Sequence, residues 1–126
     1  MGGGRIFSHF TNTEGVTGIT GIVGASLKVG QQVLVSKLRF GQGVNSFLAS
    51  EPGRILVTTL DADATDGQLM NIGVFGDKQK FVIQFSEETA LVLNEIRVLG
   101  EVPSRGIFSI PGGTTLRGKF IVRRVR

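Results

Sequence analysis

From residue 22 onward, glycine and proline cut the chain into short apolar runs, and in several runs the side chains alternate. Residues 31–40 set Leu34, Ser36, Leu38 and Phe40 against Val33, Val35, Lys37 and Arg39. Residues 78–85 set Lys80, Val82 and Gln84 against Phe81, Ile83 and Phe85. A period of two sends successive side chains to opposite faces of a strand, whereas a helix repeats every 3.6 residues. Residues 54–60 are β-branched and apolar between two turn signals and read as a further strand. Gly41-Gln42-Gly43, Glu51-Pro52-Gly53, Gly76-Asp77, the stretch from Pro103 to Gly106 and Pro111-Gly112-Gly113 supply turns. Eight or nine strands at a spacing of about 8–12 residues predict an all-β protein, an antiparallel β-sandwich or jelly roll. Long helices do not alternate with the strands, which argues against a parallel α/β fold.

Further strands are expected at residues 22–29, 44–50, 68–75, 107–110 and 114–125, the last with a bulge at Gly118. Residues 86–99 fit two descriptions. Ser86 before Glu87-Glu88 resembles a helix N-cap, with Val92, Leu93, Ile96 and Leu99 as one stripe, while residues 91–93 suit a strand, which the all-β context favours. The core is expected from Val33/Val35 or Leu34/Leu38/Phe40, with Ile55/Val57, Phe81/Ile83/Phe85 and Phe120/Val122.

The N-terminal 21 residues read differently. Three consecutive glycines follow Met1, residues 5–10 suit a short strand, and Gly15, Gly18, Gly21 and Gly24 recur at every third position. Four triplets without proline cannot make collagen, and this glycine content disfavours a helix. The reading is an extended arm, residues 1–21, laid against another backbone, with an ordinary flexible linker as the alternative, and a β-sandwich domain, residues 22–126. Gly15, Gly18 and Gly21 are therefore candidate partner contacts.

Charge is unevenly distributed. Residues 1–100 carry eight Lys/Arg and nine Asp/Glu, and residues 101–126 carry six and one. The basic residues Arg105, Arg117, Lys119, Arg123, Arg124 and Arg126 point either to a solvated strand face or to contact with an anionic partner. Arg123, Arg124 and Arg126 are expected to trail or project at the strand end. Nucleic-acid modules interleave such charge with exposed aromatics, and here the nearest aromatic, Phe120, lies among Ile121 and Val122. A protein partner is therefore preferred over nucleic acid.

The chemistry of enzymes finds little purchase. The absence of cysteine excludes disulfides, thiolate metal sites and a cysteine nucleophile. The single histidine, His9, sits among Ile6, Phe7 and Phe10 and suits packing, and no Gly-x-Ser-x-Gly elbow is present. Asp61, Asp63 and Asp66 before Gly67 miss the ligand spacing of a calcium loop and read as an acidic hairpin tip. Glu87 and Glu88 are adjacent, so a strand would send them to opposite faces, unlike the paired carboxylates of a glycosidase. No phosphate-cradling glycine loop matches. The expectation is a protein without catalysis and without cofactor or metal. No apolar run reaches the roughly 20 residues that span a bilayer, and the N-terminus has no signal-peptide core, so a cytoplasmic address and no membrane partner are expected.

Three stretches carry a resemblance: Ala49-Ser50-Glu51-Pro52-Gly53-Arg54-Ile55-Leu56-Val57, the turn at Gly76-Asp77, and Ile110-Pro111-Gly112-Gly113-Thr114. Together, over residues 47–126, they resemble small β-sandwich virion proteins of tailed bacteriophages. The chain departs from that pattern in having no tyrosine-bearing strand, since it has no tyrosine. The resemblance implies a virion structural protein, foremost a capsid decoration (cement) protein. Such a jelly roll, commonly a homotrimer, clamps subunits of the major capsid protein lattice and is assembled in the host cytoplasm. A tail, neck or head-fibre component is the alternative within that class, and a nucleic-acid-binding β-barrel or small-molecule-binding barrel lies outside it. No single residue is carried over from the family. The partner-contact candidates are Gly15, Gly18, Gly21, Arg117, Lys119, Arg123, Arg124 and Arg126.

Overall fold

A computed structural model describes residues 5–41, 53–88 and 99–126. Seven strands make one antiparallel sheet in the order β2-β7-β4-β1-β3-β6-β5. They are β1 (Ile6–Thr11), β2 (Gln32–Arg39), β3 (Arg54–Thr58), β4 (Phe81–Ser86), β5 (Leu99–Val102), β6 (Ile107–Pro111) and β7 (Thr115–Arg124). Two short helices, α1 (Thr13–Thr20) and α2 (Asp66–Asn71), lie in the connections. The all-β, antiparallel expectation holds at this level. The strand expected over residues 44–50 lies outside the described residues, as does most of the choice between helix and strand over 86–99.

The register separates two faces. On the inner face, Phe7 opposes Phe85, Ile83 opposes Val122, Val35 opposes Phe120 and Val57 opposes Phe108. These residues join Val16, Leu27, Leu38, Phe40, Phe81, Ile110 and Leu116 in the larger core, with Val33 and Ile55 packed against it. The aromatic rings meet edge-on, Phe7 with Phe108 at 5.2 Å and Phe40 with Phe85 at 6.0 Å between centroids, the geometry that ring quadrupoles favour. On the outer face, the connection between β3 and β4 folds back. Leu69, Ile72, Val74 and Ala64 cover Phe10, Val82 and Ile107 in a second, smaller core. The alternation expected over residues 78–85 holds from Phe81 to Phe85, while Gly76–Gln79 form a 3₁₀ turn and Lys80 has helical backbone angles.

Both core sets expected for β2 are partly correct, because the strand changes phase. Val33 and Val35 face the inner core, and so do Leu38 and Phe40 three residues on, whereas Leu34 is exposed. The ladder slips between Val35↔Phe120 and Lys37↔Arg117, where Ser36 faces the two residues Gly118 and Lys119. This irregularity sits at the position expected for the bulge. A bulge breaks strict alternation, so a single-face reading of residues 31–40 cannot stand.

The N-terminal arm is corrected by the structure. β1 lies inside the sheet between β4 and β3, and Phe7 and Phe10 are buried. The glycine triplet is not extended. Asn12 caps α1, its side-chain oxygen accepting from Gly15 N at 2.8 Å. Gly21, in the left-handed region at φ 78°, ends the helix by donating its N–H to the Thr17 carbonyl at 2.9 Å. Gly24 packs so tightly that an added Cβ would lie 2.8 Å from the carbonyl oxygen of Thr13. Gly21 acts at a cap and Gly15 and Gly24 at close approaches, uses that outweigh the low helix propensity of glycine. The strand expected at 22–29 is instead a loop with one tight 3₁₀ turn, Gly24–Ser26.

The strand expected at 68–75 is also corrected. Residues 66–71 form α2, because Thr65 and Gln68 make a reciprocal capping box. Thr65 Oγ1 accepts from Gln68 N at 3.2 Å and Gln68 Oε1 accepts from Thr65 N at 2.9 Å. Asp66 thus begins a helix instead of closing a hairpin tip.

One seam interrupts the sheet. β1 and β3 share the single bridge Ser8↔Thr58, whereas β1 and β4 are paired along six positions. His9 fills the gap. Its Nδ1 lies 2.9 Å from the Leu56 carbonyl oxygen, and its ring meets Phe40 edge-on at 5.6 Å.

Candidate interaction surface

The pair β2–β7 ends the sheet on one side, and the part of its outer face remote from α2 is open. Cross-strand partners share a face, so the register places Leu34 beside Ile121, Lys37 beside Arg117, and Gln32 beside Arg123. Leu34 is 71% exposed in mid-strand. Lys37, Arg39, Arg117 and Lys119 are exposed as well. Residues two apart on one strand are about 6.8 Å apart along it, so the four cations form a compact cluster beside the Leu34–Ile121 pair. Among the described residues, no carboxylate lies within ion-pair distance of any of the four, the ion pairs being Arg5–Glu87 and Arg126–Asp66. Like charges directly opposite across a ladder are destabilising, so among the described residues the Lys37–Arg117 pairing is an unfavourable one.

The C-terminal arginines divide. Arg117 and Lys119 belong to this open face. Arg123 is partly buried on the same face, and its Nε has no hydrogen-bond partner among the described residues. Arg124 and Arg126 do not project, which corrects the expectation for the strand end. Arg124 donates from Nη1 to the Leu27 carbonyl at 2.9 Å and lies over the Phe81 ring at 5.6 Å. Arg126 donates to the carbonyls of Gln79 and Ala64 at 3.2 and 3.0 Å and pairs with Asp66 at 2.9 Å. Guanidinium groups present several donors in a fixed fork. Here they fasten the α1–β2 and β3–β4 connections to the last strand.

The candidate glycines Gly15, Gly18 and Gly21 lie on and just after α1, whose Val16 and Ile19 pack on the inner core, the face opposite these cations. Gly15 packs against Thr11, while Gly18 and Gly21 have open space where a side chain would start.

Several other polar groups are engaged locally. Gln84 Nε2 donates to Asp61 Oδ1 at 2.8 Å and to Ser8 Oγ at 3.1 Å. The Asp61 carboxyl is held below its ordinary pKa, chiefly by the Ala62 N–H and then by Gln84. Glu87 is likewise lowered by its hydrogen bond from Arg5, whose own pKa is raised by the same contact. His9 is lowered, because burial disfavours the imidazolium more than the Leu56 carbonyl stabilises it. Among the described residues, no three His, Cys, Asp or Glu lie close enough to share a metal ion. No helix among them is long and apolar enough to cross a membrane. Arg5, Ile6, Thr59, Arg105 and Phe108 line a shallow depression near the Arg5–Glu87 pair.

The sequence reading found Arg117 and Lys119 but missed Leu34, Lys37 and Arg39. Their signal was the switch in β2 from apolar to cationic positions opposite a glycine-containing strand. No family model, curated protein or solved structure matches the chain.

Proposed function

We propose that the chain is a non-enzymatic structural protein of a virion, of the capsid decoration (cement) type, which binds and stabilises a lattice of major capsid protein. The observation that carries this reading is Leu34, 71% exposed in the middle of a strand beside a cluster of cations that pair with no carboxylate among the described residues. Leu34 and its cross-strand neighbour Ile121 offer a protein partner an apolar contact bordered by positive charge, the arrangement of an interface with an apolar centre and a polar rim. The resemblance of residues 47–126 to tailed-phage virion proteins supplies the identity of what covers it. In this reading the sheet curls about its inner core as a sandwich or jelly roll, which one core shared by β2, β7, β4, β1, β3 and β6 supports. A homotrimer is the proposed oligomer, and the virion, assembled in the host cytoplasm, is its place of action.

The test is direct. Antibody against the purified protein is applied to gradient-purified particles from a culture that encodes it, and the label is located by electron microscopy. Label at regular positions over the capsid supports the decoration role. Label confined to the tail or neck supports the alternative within the same class, and particles free of label overturn the virion reading.

A further inference from the structure

We propose that the outer face of β2–β7 is a docking site for an acidic protein segment that carries an apolar anchor. The anchor covers Leu34 and Ile121, and its carboxylates meet Lys37, Arg39, Arg117 and Lys119. The proposal rests on the assembly reading only in taking the occupant to be a protein.

Three observations define the occupant. The first is charge. Lys37 and Arg117 are direct cross-strand partners, with Arg39 two residues beyond on one strand and Lys119 two residues beyond on the other. None of them is within ion-pair distance of a carboxylate among the described residues. Like charges directly opposite across a ladder disfavour one another, so a carboxylate placed between Lys37 and Arg117 is electrostatically favoured. The second is the apolar pair. Leu34 opposes Ile121 directly, and Leu34 is 71% exposed. A phosphate backbone has nothing to gain from an aliphatic side chain at that place, whereas a peptide side chain removes it from water. The third is the absence, among the described residues, of an aromatic stacking surface beside these cations. Exposed aromatics serve proteins that hold single-stranded nucleic acid. The aromatics of the neighbouring strands, Phe40, Phe81 and Phe120, are buried on the opposite face.

The arrangement also sets the register of the occupant. The apolar pair and the opposed cation pair lie on either side of the ladder slip at Ser36. A fitting segment therefore places its apolar residue a short distance from its acids. Charge brings the segment in and orients it, and the apolar contact sets how long it stays.

The full-length protein is titrated into three fluorescent probes at low salt: a short Glu/Ser peptide with two central leucines, its leucine-free counterpart, and a short DNA duplex. The leucine-bearing peptide is expected to bind the most tightly, with affinity falling steeply with added salt. Lys37→Gln with Arg117→Gln should weaken both peptides by about tenfold or more. Leu34→Ser should weaken only the leucine-bearing one, leaving the thermal unfolding midpoint unchanged because Leu34 is exposed. Tighter binding of the duplex, insensitive to Leu34→Ser, overturns the proposal in favour of nucleic acid. Binding of neither peptide also overturns it, as does a Leu34→Ser effect equal on both. Normal incorporation of the Lys37/Arg117 double variant into particles that carry the wild type sinks the docking site and leaves the virion reading standing. Peptide binding by a protein missing from particles does the reverse.

Discussion

The Nδ1 atom of His9 lies 2.9 Å from the carbonyl oxygen of Leu56, across the seam where β1 and β3 are joined by one bridge. The ring takes over a bonding role that the backbone ladder leaves vacant there. A backbone carbonyl is satisfied by a side chain whose charge state depends on pH.

Stability should therefore fall in mildly acidic solution. The folded-state pKa of His9 is below the ordinary 6.5, because burial penalises the charged ring and Lys78 adds repulsion. At pH well above the ordinary value of 6.5 both states are neutral and the group contributes no slope. Below it the unfolded chain takes up a proton that the folded chain resists, so stability declines until the folded ring protonates too. Asp61 and Glu87 have lowered pKa values, so their stabilising contributions are lost only below their ordinary values of 3.8 and 4.5. The two windows are separate. Urea unfolding at about pH 7.5 and about pH 5 should show a loss in the wild type that His9→Gln removes. An equal loss in the variant would show that His9 does not govern it.

The first strand should behave as core. Phe7 is fully buried against Phe85 and Phe108, and Phe7→Ala is expected to cost about 3–5 kcal/mol. Deletion of residues 2–18 should abolish cooperative unfolding, since it removes β1 from between β4 and β3. A deleted protein that melts like the parent would restore the picture of a detachable arm.

Two glycines nearby should respond in opposite directions. Gly18 lies inside α1 with open space where a Cβ would be, so Gly18→Ala should stabilise by about 0.5–1 kcal/mol. Gly24 faces the Thr13 carbonyl at a distance no Cβ tolerates, and Gly24→Ala should destabilise by about 1–3 kcal/mol. Denaturant midpoints of the two variants check the contrast, and a shared sign would refute it.

Arg126 should matter more than its position near the chain end suggests. Arg126→Gln removes donors from the Gln79 and Ala64 carbonyls and is expected to cost about 1–3 kcal/mol. Asp66→Asn should cost less than about 1 kcal/mol, because the Asp66 carboxylate is mostly exposed and its ion pair is screened. If the two substitutions cost the same and salt erases both effects, the ion pair and not the carbonyl contacts holds the loop.

The strands that pack one face against a continuous core were legible from alternation: β3, β4, β6 and β7 fall where their residues indicate. The bulge at Gly118 was legible too, but not its effect on β2. The phase change at Ser36 depends on a partner strand far along the chain, which local alternation cannot register. α1 was hidden by its glycines, because glycine lowers helix propensity whether or not a helix needs it for a cap or a close approach. α2 was more accessible. Thr65-Asp66-Gly67-Gln68 carries the capping-box pattern, and the apolar residues that follow drew the reading towards a strand. For the candidate surface, a count of C-terminal charge located Arg117 and Lys119 but could not tell them from Arg124 and Arg126. What separates the two sets is which carbonyls lie within reach, a property of the folded loops.

The strand order has a kinetic consequence. Ile6 pairs with Ser86 and Gln32 with Arg123, and β7 is inserted between β2 and β4. While the polypeptide is being synthesised, β1 and β2 each wait for a partner made much later, and β2 cannot join the sheet until β7 has emerged. Closing such long loops is entropically costly before any contact rewards it, so folding dominated by these pairings is slow. Until then the unpaired β2 and the apolar β1 are open to pairing with other nascent chains. Lys37 and Arg39 place charge along that waiting edge, a feature that disfavours pairing between newly made copies.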